Sequence, residues 1–254
     1  MILLHRFTPF AIAFASALLF FALIFSPFTL WPIILLCTLL VPLLFSRLLL
    51  FEFKRPAFWV FLGTPCLLLA SSLMFFLLLE SNTAKWALAI MVAAALFLYA
   101  ENVFAFYHLP STYQAYSLEY LTLMMYMGSA FFFTSSAYMA QLFLELPLWA
   151  PAVAVFVSVL FATTAVFWVS KIGFETGIPY AVTGAIVLTE LYVVLAFLPT
   201  SFITNAAAFT ICLSTYFGLT RAHVLEKLST TVTRRYLAFG AVLLILIFGT
   251  ATWI

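Results

Sequence analysis

Long apolar runs, separated by short clusters of charged and polar residues, make up the chain from one end to the other. A helix needs about 20 apolar residues to cross a bilayer. With charges, prolines and polar clusters as boundaries, the pattern predicts eight or nine membrane spans in a single polytopic domain, and we favour nine. Their predicted positions are near residues 8–26, 30–50, 57–79, 86–106, 115–144, 148–170, 178–198, 202–222 and 234–254.

The composition supports a membrane protein of the all-α class. The 254 residues are 67% hydrophobic and only 7% charged, whereas a soluble domain carries about 25% charged residues. The runs lack the alternation of a membrane β-barrel, so helices must satisfy the backbone in lipid. We therefore predict an integral membrane bundle that has membrane lipid as its surroundings. The small net charge of +2 argues against a nucleic-acid partner.

Basic residues give the orientation of the spans, because cytoplasmic loops carry an excess of lysine and arginine. With nine spans and a cytoplasmic N-terminus, nine of the ten basic residues lie inside and only Lys85 lies outside. The C-terminus is then outside. The run 8–26 exceeds a usual signal-peptide core, so we interpret it as a retained first helix.

A weak internal similarity suggests two units of four spans plus one further helix. The stretch that begins at Trp31-Pro32 resembles the stretch that begins at Trp149-Ala150-Pro151. Shifting the sequence by the interval from Trp31 to Trp149 also superimposes the third span on the seventh and the fourth on the eighth. Such an arrangement would be a parallel repeat. Evenly spaced spans can also align by chance, so the repeat stays one of two interpretations.

Glu190 is the sharpest polar feature, because it lies near the middle of the predicted span 178–198. An acidic side chain there costs about 2.5–3.5 kcal/mol, so we expect it to face the bundle interior or a cavity. Thr183, seven residues earlier, shares its helix face. One hypothesis is that Glu190 and Thr183 form a binding site for a substrate, a proton or a cation. The other is that Glu190 is a neutral carboxyl group that is hydrogen-bonded to a neighbouring helix.

The region 99–126 is the second polar feature, on the predicted inner side. It holds six of the eleven tyrosines, together with Glu101, His108 and Glu119. These three residues are weak candidates for an acid/base or metal cluster, but their spacing matches no known ligand set. Tyrosine is also enriched at membrane interfaces, where it anchors helices. We favour the anchoring interpretation and predict no metal and no cofactor.

Several membrane chemistries are excluded by missing residues. Aspartate is absent from the chain, which excludes intramembrane aspartyl proteases and the transferases that hold Mg²⁺ on aspartates. No lysine lies within a span to form a retinal Schiff base. The sequence contains no HExxH motif and no GxSxG motif.

Three segments resemble a group of polytopic bacterial membrane proteins of unknown function. They are Ala100–Glu119, Thr189–Ser201 and Arg234-Arg235-Tyr236. The resemblance covers roughly the last 150 residues and includes no catalytic motif. It implies a bacterial inner-membrane setting and no particular chemistry.

Three classes of function remain open. A scaffold or assembly subunit, with other membrane subunits as partners, needs only complementary helix faces and is the class we favour. A transporter of a small molecule, lipid or ion would use Glu190. An enzyme at the inner leaflet would use Glu101, His108 and Glu119, but the sequence favours a non-enzymatic role.

The topology can be tested with a reporter that is active only in the cytoplasm. Fused after Lys227, the reporter should be active, because the predicted loop 223–233 is cytoplasmic. Fused after Trp253-Ile254, it should be silent. An active reporter at the C-terminus would contradict the nine-span topology.

Overall fold

The fold is taken from a computed structural model that describes residues 6–25, 29–110, 113–114 and 116–252. Ser111 and Thr112 of the tyrosine-rich region, and the C-terminal Trp253 and Ile254, lie outside the described residues. Within the described part of the chain, every regular element is an α-helix and no strand occurs. The predicted all-α class is therefore confirmed.

Nine helices follow one another along the described residues. They are α1 (Thr8–Phe25), α2 (Trp31–Leu48), α3 (Pro56–Phe76), α4 (Asn82–His108), α5 (Ser117–Leu144), α6 (Trp149–Val169), α7 (Phe174–Ala196), α8 (Phe202–Val224) and α9 (Thr230–Thr250).

Eight of these nine helices are long and apolar enough to cross a membrane. The exception among the described helices is α5, although it has 28 residues. Hydroxyl side chains interrupt its apolar surface, and several of them are buried, including Thr122, Ser129 and Ser135. The hydroxyl side chains of α5 are therefore part of its packed face. Its length of 28 residues is still sufficient to cross a bilayer.

The chain divides into two compact units, Met1–Met125 and Tyr126–Ile254, with the boundary inside α5. In the first unit, α1 packs against α2 and α4, and α3 packs against α2 and α4. Aromatic side chains fill the space between these helices. Phe45 and Tyr99 lie with ring centroids 6.0 Å apart, and both rings are fully buried. The core of this unit is thus aromatic as well as aliphatic.

The second unit is a series of packed helices in which α7 contacts α6 and α8, and α8 contacts α9. Its fully buried large side chains include Phe167, Tyr192, Phe209 and Phe217. Of α9, the buried set holds only Gly240 among the described residues. Most of α9 therefore faces lipid or another molecule.

The two units share a pattern of helix positions. Moving along the chain by the interval from Trp31 to Trp149 carries the start of α2 onto the start of α6 and the start of α3 onto the start of α7. It also brings the start of α4 within two residues of the start of α8. The three packed pairs within α2–α4 recur within α6–α8. These positions agree with the predicted repeat, which remains a prediction.

Three helices end in the same local structure, although no glycine is present to form it. Leu50, Lys171 and Glu226 follow α2, α6 and α8 with positive φ angles of 56°, 62° and 56°. After α6, the N–H of Lys171 donates to Trp168 O and that of Ile172 donates to Phe167 O, both at 3.0 Å. This bond pair is the Schellman motif, which satisfies carbonyl groups at the helix end.

Glycine allows α7, α8 and α9 to approach one another closely. A Cβ atom on Gly184 of α7 would lie 2.6 Å from Cζ of Tyr216 on α8. A Cβ atom on Gly218 of α8 would lie 2.7 Å from Cζ of Tyr236 on α9. Small residues at such positions are typical of packed membrane helices. The Tyr216 hydroxyl donates a hydrogen bond to the Tyr180 carbonyl, which fixes the ring over Gly184.

Replacing Gly184 with leucine should therefore destabilise the protein. The added side chain must displace the Tyr216 ring and break its hydrogen bond, and overpacking of this kind costs about 1–3 kcal/mol. Gly249→Leu is the matched control, because a Cβ atom there meets nothing within 4 Å. Unfolding of the purified variants in lipid nanodiscs measures the difference. Equal stability of the two variants would contradict the close approach at Gly184.

Candidate functional site

The predicted site residues Glu190 and Thr183 lie on the outer surface of α7. Both side chains are exposed, and they share a stripe with Ile186, Val187 and Val194. The spacing of three, four and seven residues places these side chains on one helix face. The opposite face of α7 is buried against its neighbours and includes Ala181, Gly184, Ala185, Leu188, Tyr192 and Leu195.

The position of Glu190 differs from the sequence expectation in two respects. We expected the carboxyl group to face the bundle interior, whereas it points away from the chain's own core. The middle residue of α7 is Ala185, so Glu190 lies about 7.5 Å beyond the helix midpoint at about 1.5 Å per residue. Packing decides which face of a helix is buried, and α7 buries its small residues instead.

The three weak catalytic candidates lie on α4 and in the part of α5 that belongs to the first unit. Glu101 and His108 lie on α4, about 10 Å apart along its axis at about 1.5 Å per residue, and Glu119 lies in the first turn of α5. All three are half-buried. The His108 ring stacks on Phe104 with the ring centroids 5.2 Å apart. Among the described residues, no group of three or more His, Cys, Asp or Glu side chains could hold a metal ion.

A hydrogen bond links α4 to α5 within the same region. Ser117 Oγ donates to Asn102 Oδ1 at 2.6 Å, and Asn102 Nδ2 donates to the Leu98 carbonyl at 2.8 Å. The N–H of Leu118 donates to the Tyr113 hydroxyl at 3.4 Å, at the start of α5. Sequence reasoning did not single out Ser117. The polar residues of this region thus connect two helices.

The six tyrosines of the region do not share one role. Tyr116 and Tyr120 are each 61% exposed, which suits the predicted anchoring at a membrane interface. Tyr99 and Tyr126 are fully buried and belong to the packed core instead. The anchoring interpretation therefore fits the exposed tyrosines and does not extend to the buried pair.

Sequence reasoning missed a cavity of about 300 Å³ in the second unit. It lies where α5 and α7 end and α8 begins. Its polar lining residues are Tyr138, Gln141, Thr200 and Asn205. The sequence shows these residues as polar side chains within otherwise apolar runs. Nothing in the sequence indicates that they line the same cavity.

Tyr138, which lines this cavity, stacks on the buried ring of Tyr192. The rings of Tyr138 and Tyr192 lie 4.4 Å apart at an angle of 16°. The Tyr138 hydroxyl donates to the Tyr192 carbonyl at 3.0 Å, and the Tyr192 hydroxyl donates to Gln141 Oε1 at 3.1 Å. These bonds hold the Gln141 amide at the cavity. Asn205 is 3% exposed, and its Oδ1 accepts a hydrogen bond from Thr200 Oγ1 at 2.5 Å.

Two larger but shallow and open surface cavities, each of about 750 Å³, lie along α9. One is lined by Arg234 and Leu237, and the other by Arg235 and Phe239. Each combines one arginine with apolar side chains, as expected for a surface that contacts lipid headgroups and tails. Glu190 and Thr183 are not among the residues that line these three cavities.

Comparisons with known proteins assign the chain to a family. No curated protein and no solved structure matches the chain. A family model described as "Protein of unknown function (DUF5656)" matches residues 52–250. The matched range includes every segment on which the resemblance to proteins of unknown function was based. The chain therefore belongs to the DUF5656 family.

Proposed function

We propose that the protein is a non-enzymatic assembly subunit of a complex in the bacterial inner membrane. In this proposal, a transmembrane helix of a partner subunit covers the exposed face of α7. The observation that carries the proposal is the exposure of Glu190, together with Thr183, within a helix apolar enough to span the membrane.

The energetic argument concerns the carboxyl group of Glu190. Facing lipid, an acidic side chain in a span costs about 2.5–3.5 kcal/mol at the bilayer centre. A chain that kept Glu190 for its own packing would direct it inward, but α7 directs Tyr192 and Leu195 inward instead. A partner helix that shields the carboxyl group from lipid and supplies a hydrogen bond reduces that cost. Glu190 is therefore stabilised by assembly.

The chemistry of the exposed face restricts the partner. Beside Thr183 and Glu190 the stripe presents Ile186, Val187 and Val194, which are between 46% and 59% exposed. β-branched side chains have few rotamers to lose on packing. The matching surface is an apolar helix with one hydrogen-bonding side chain at the depth of Glu190. Association in lipid depends on such packing and on hydrogen bonds between helices.

The two alternative functions have less support. The transporter alternative assigned Glu190 to a cavity, but its side chain is exposed and lines none of the three cavities described above. The enzyme alternative needs Glu101, His108 and Glu119 in one site, and the first two are separated by two helical turns. An assembly role requires neither arrangement.

Photo-crosslinking in native membranes tests the assembly role. A benzophenone amino acid at Val194 should yield a discrete protein adduct, because Val194 lies on the proposed interface. Val157 on α6 is the matched control, since it is also a valine and is 58% exposed against 59% for Val194. Adducts of equal intensity at both positions, or none at Val194, would overturn the proposed interface.

Variants of Glu190 test the role of its carboxyl group in the same experiment. Glu190→Gln should keep most of the Val194 adduct, because glutamine retains the size and a hydrogen-bond donor, so the bond to the partner can still form. Glu190→Leu should lose most of it, because the partner's polar group is left unpaired. An unchanged adduct in Glu190→Leu, at normal abundance of the protein, would contradict the proposal.

A further inference from the structure

The small cavity of the second unit has the features of a binding site. Its volume of about 300 Å³ is at the lower end of the range for ligand pockets, about 300–1,000 Å³. Four polar residues on three structural segments converge on it, and the stacked pair Tyr138 and Tyr192 supports one wall. A packing defect would not require such a hydrogen-bonded wall.

The side chain of Asn205 does not use all of its hydrogen-bonding groups within the described part of the chain. The residue is 97% buried, and its one side-chain hydrogen bond within the described residues is to Thr200. An amide group offers two N–H donors and a carbonyl acceptor. The Nδ2 group of Asn205 therefore remains available at the cavity. This N–H group can donate a hydrogen bond to an occupant of the cavity that carries an acceptor.

Gln141 provides a second amide at the same cavity. Its Oε1 accepts from the Tyr192 hydroxyl, which leaves the Nε2 group as a donor. Gln141 is half-buried, so it lies closer to the surface than Asn205. The two amides thus line the cavity at different depths.

The charges and the rim define the class of ligand. No acidic, basic or histidine residue is among the described residues that line the cavity, so a charged ligand would find no counter-charge. Amide groups both donate and accept, and so do hydroxyl groups. The rim carries Leu142 and Phe197, which are 68% and 75% exposed. These side chains suit an apolar face or an attached acyl chain.

We propose that this cavity binds an uncharged polyhydroxyl group of the size of one sugar ring, held by the amides of Gln141 and Asn205. Two sources share this chemistry, a free sugar and the headgroup of a neutral glycolipid. The ends of α5 and α7 lie on the outer side in the predicted orientation, so the group would enter from that side. This inference is independent of the assembly interface on α7.

The test is a binding titration of the purified full-length protein, followed by native mass spectrometry and by thermal unfolding. The probes are free glucose, monoglucosyl diacylglycerol, diacylglycerol without the sugar, and phosphatidylglycerol. Glucose or the glycolipid should bind at least about tenfold more tightly than diacylglycerol, as two or more hydrogen bonds would produce. Binding of free glucose identifies a free sugar as the source, and binding of the glycolipid alone identifies a lipid headgroup.

Variants separate the cavity from the rest of the surface. Ala196→Phe places a ring in the cavity without removing a polar group and should abolish sugar binding. Ile203→Phe places the same aromatic ring at a 46% exposed position that does not line the cavity, and it should bind as the parent does. Gln141→Leu should weaken binding by up to about tenfold, through the loss of one hydrogen bond.

Three results would overturn the proposal. The first is equal affinity for monoglucosyl diacylglycerol and diacylglycerol, together with no binding of free glucose. The second is preferential binding of phosphatidylglycerol, which would indicate an anionic ligand. The third is equal sugar binding by Ala196→Phe and Ile203→Phe when both variants are folded, as judged by cooperative thermal unfolding.

Discussion

A polar group in the hydrocarbon interior of a membrane must find a partner within the protein, because lipid tails offer no hydrogen bonds. The backbone meets this requirement by forming helices along nearly the whole described chain. Many hydroxyl side chains meet it by donating to a carbonyl one turn earlier. Thr64 donates to Val60 O at 2.8 Å and Thr163 donates to Val159 O at 2.7 Å. Such bonds allow polar residues to be buried without a second helix.

Tyrosine meets the same requirement between helices. The hydroxyls of Tyr99, Tyr138 and Tyr216 donate to backbone carbonyls of neighbouring helices, at Phe61, Tyr192 and Tyr180 respectively. Each bond ties a ring of the core to a fixed point on the next helix. Because the acceptor is a carbonyl that already belongs to a helix, the bond adds specificity to packing that is otherwise apolar. Tyrosine is therefore a structural residue in this fold.

Both proposals concern residues of the second unit whose side-chain polar groups are not fully bonded within the described part of the chain. Glu190 carries a carboxyl group on an exposed face, and Asn205 carries a buried amide that is only partly bonded. Natural proteins satisfy most polar groups in their interiors, and exceptions are often found at functional sites. For Glu190 the proposed molecule is a partner helix. For Asn205 it is a small uncharged ligand.

The sequence alone determined the helical class and the position of each described helix to within four residues at either end. It could do so because the length of an apolar run is a property of the chain that needs no knowledge of neighbours. It could not determine which face of each helix is buried, since helices that are apolar all round show no stripe of polar residues. Tertiary packing determines the buried face, and in α7 it buries Tyr192 and leaves Glu190 exposed. Packing also brought Gln141 and Asn205, from separate helices, to one cavity, because only tertiary contacts join residues so distant along the chain.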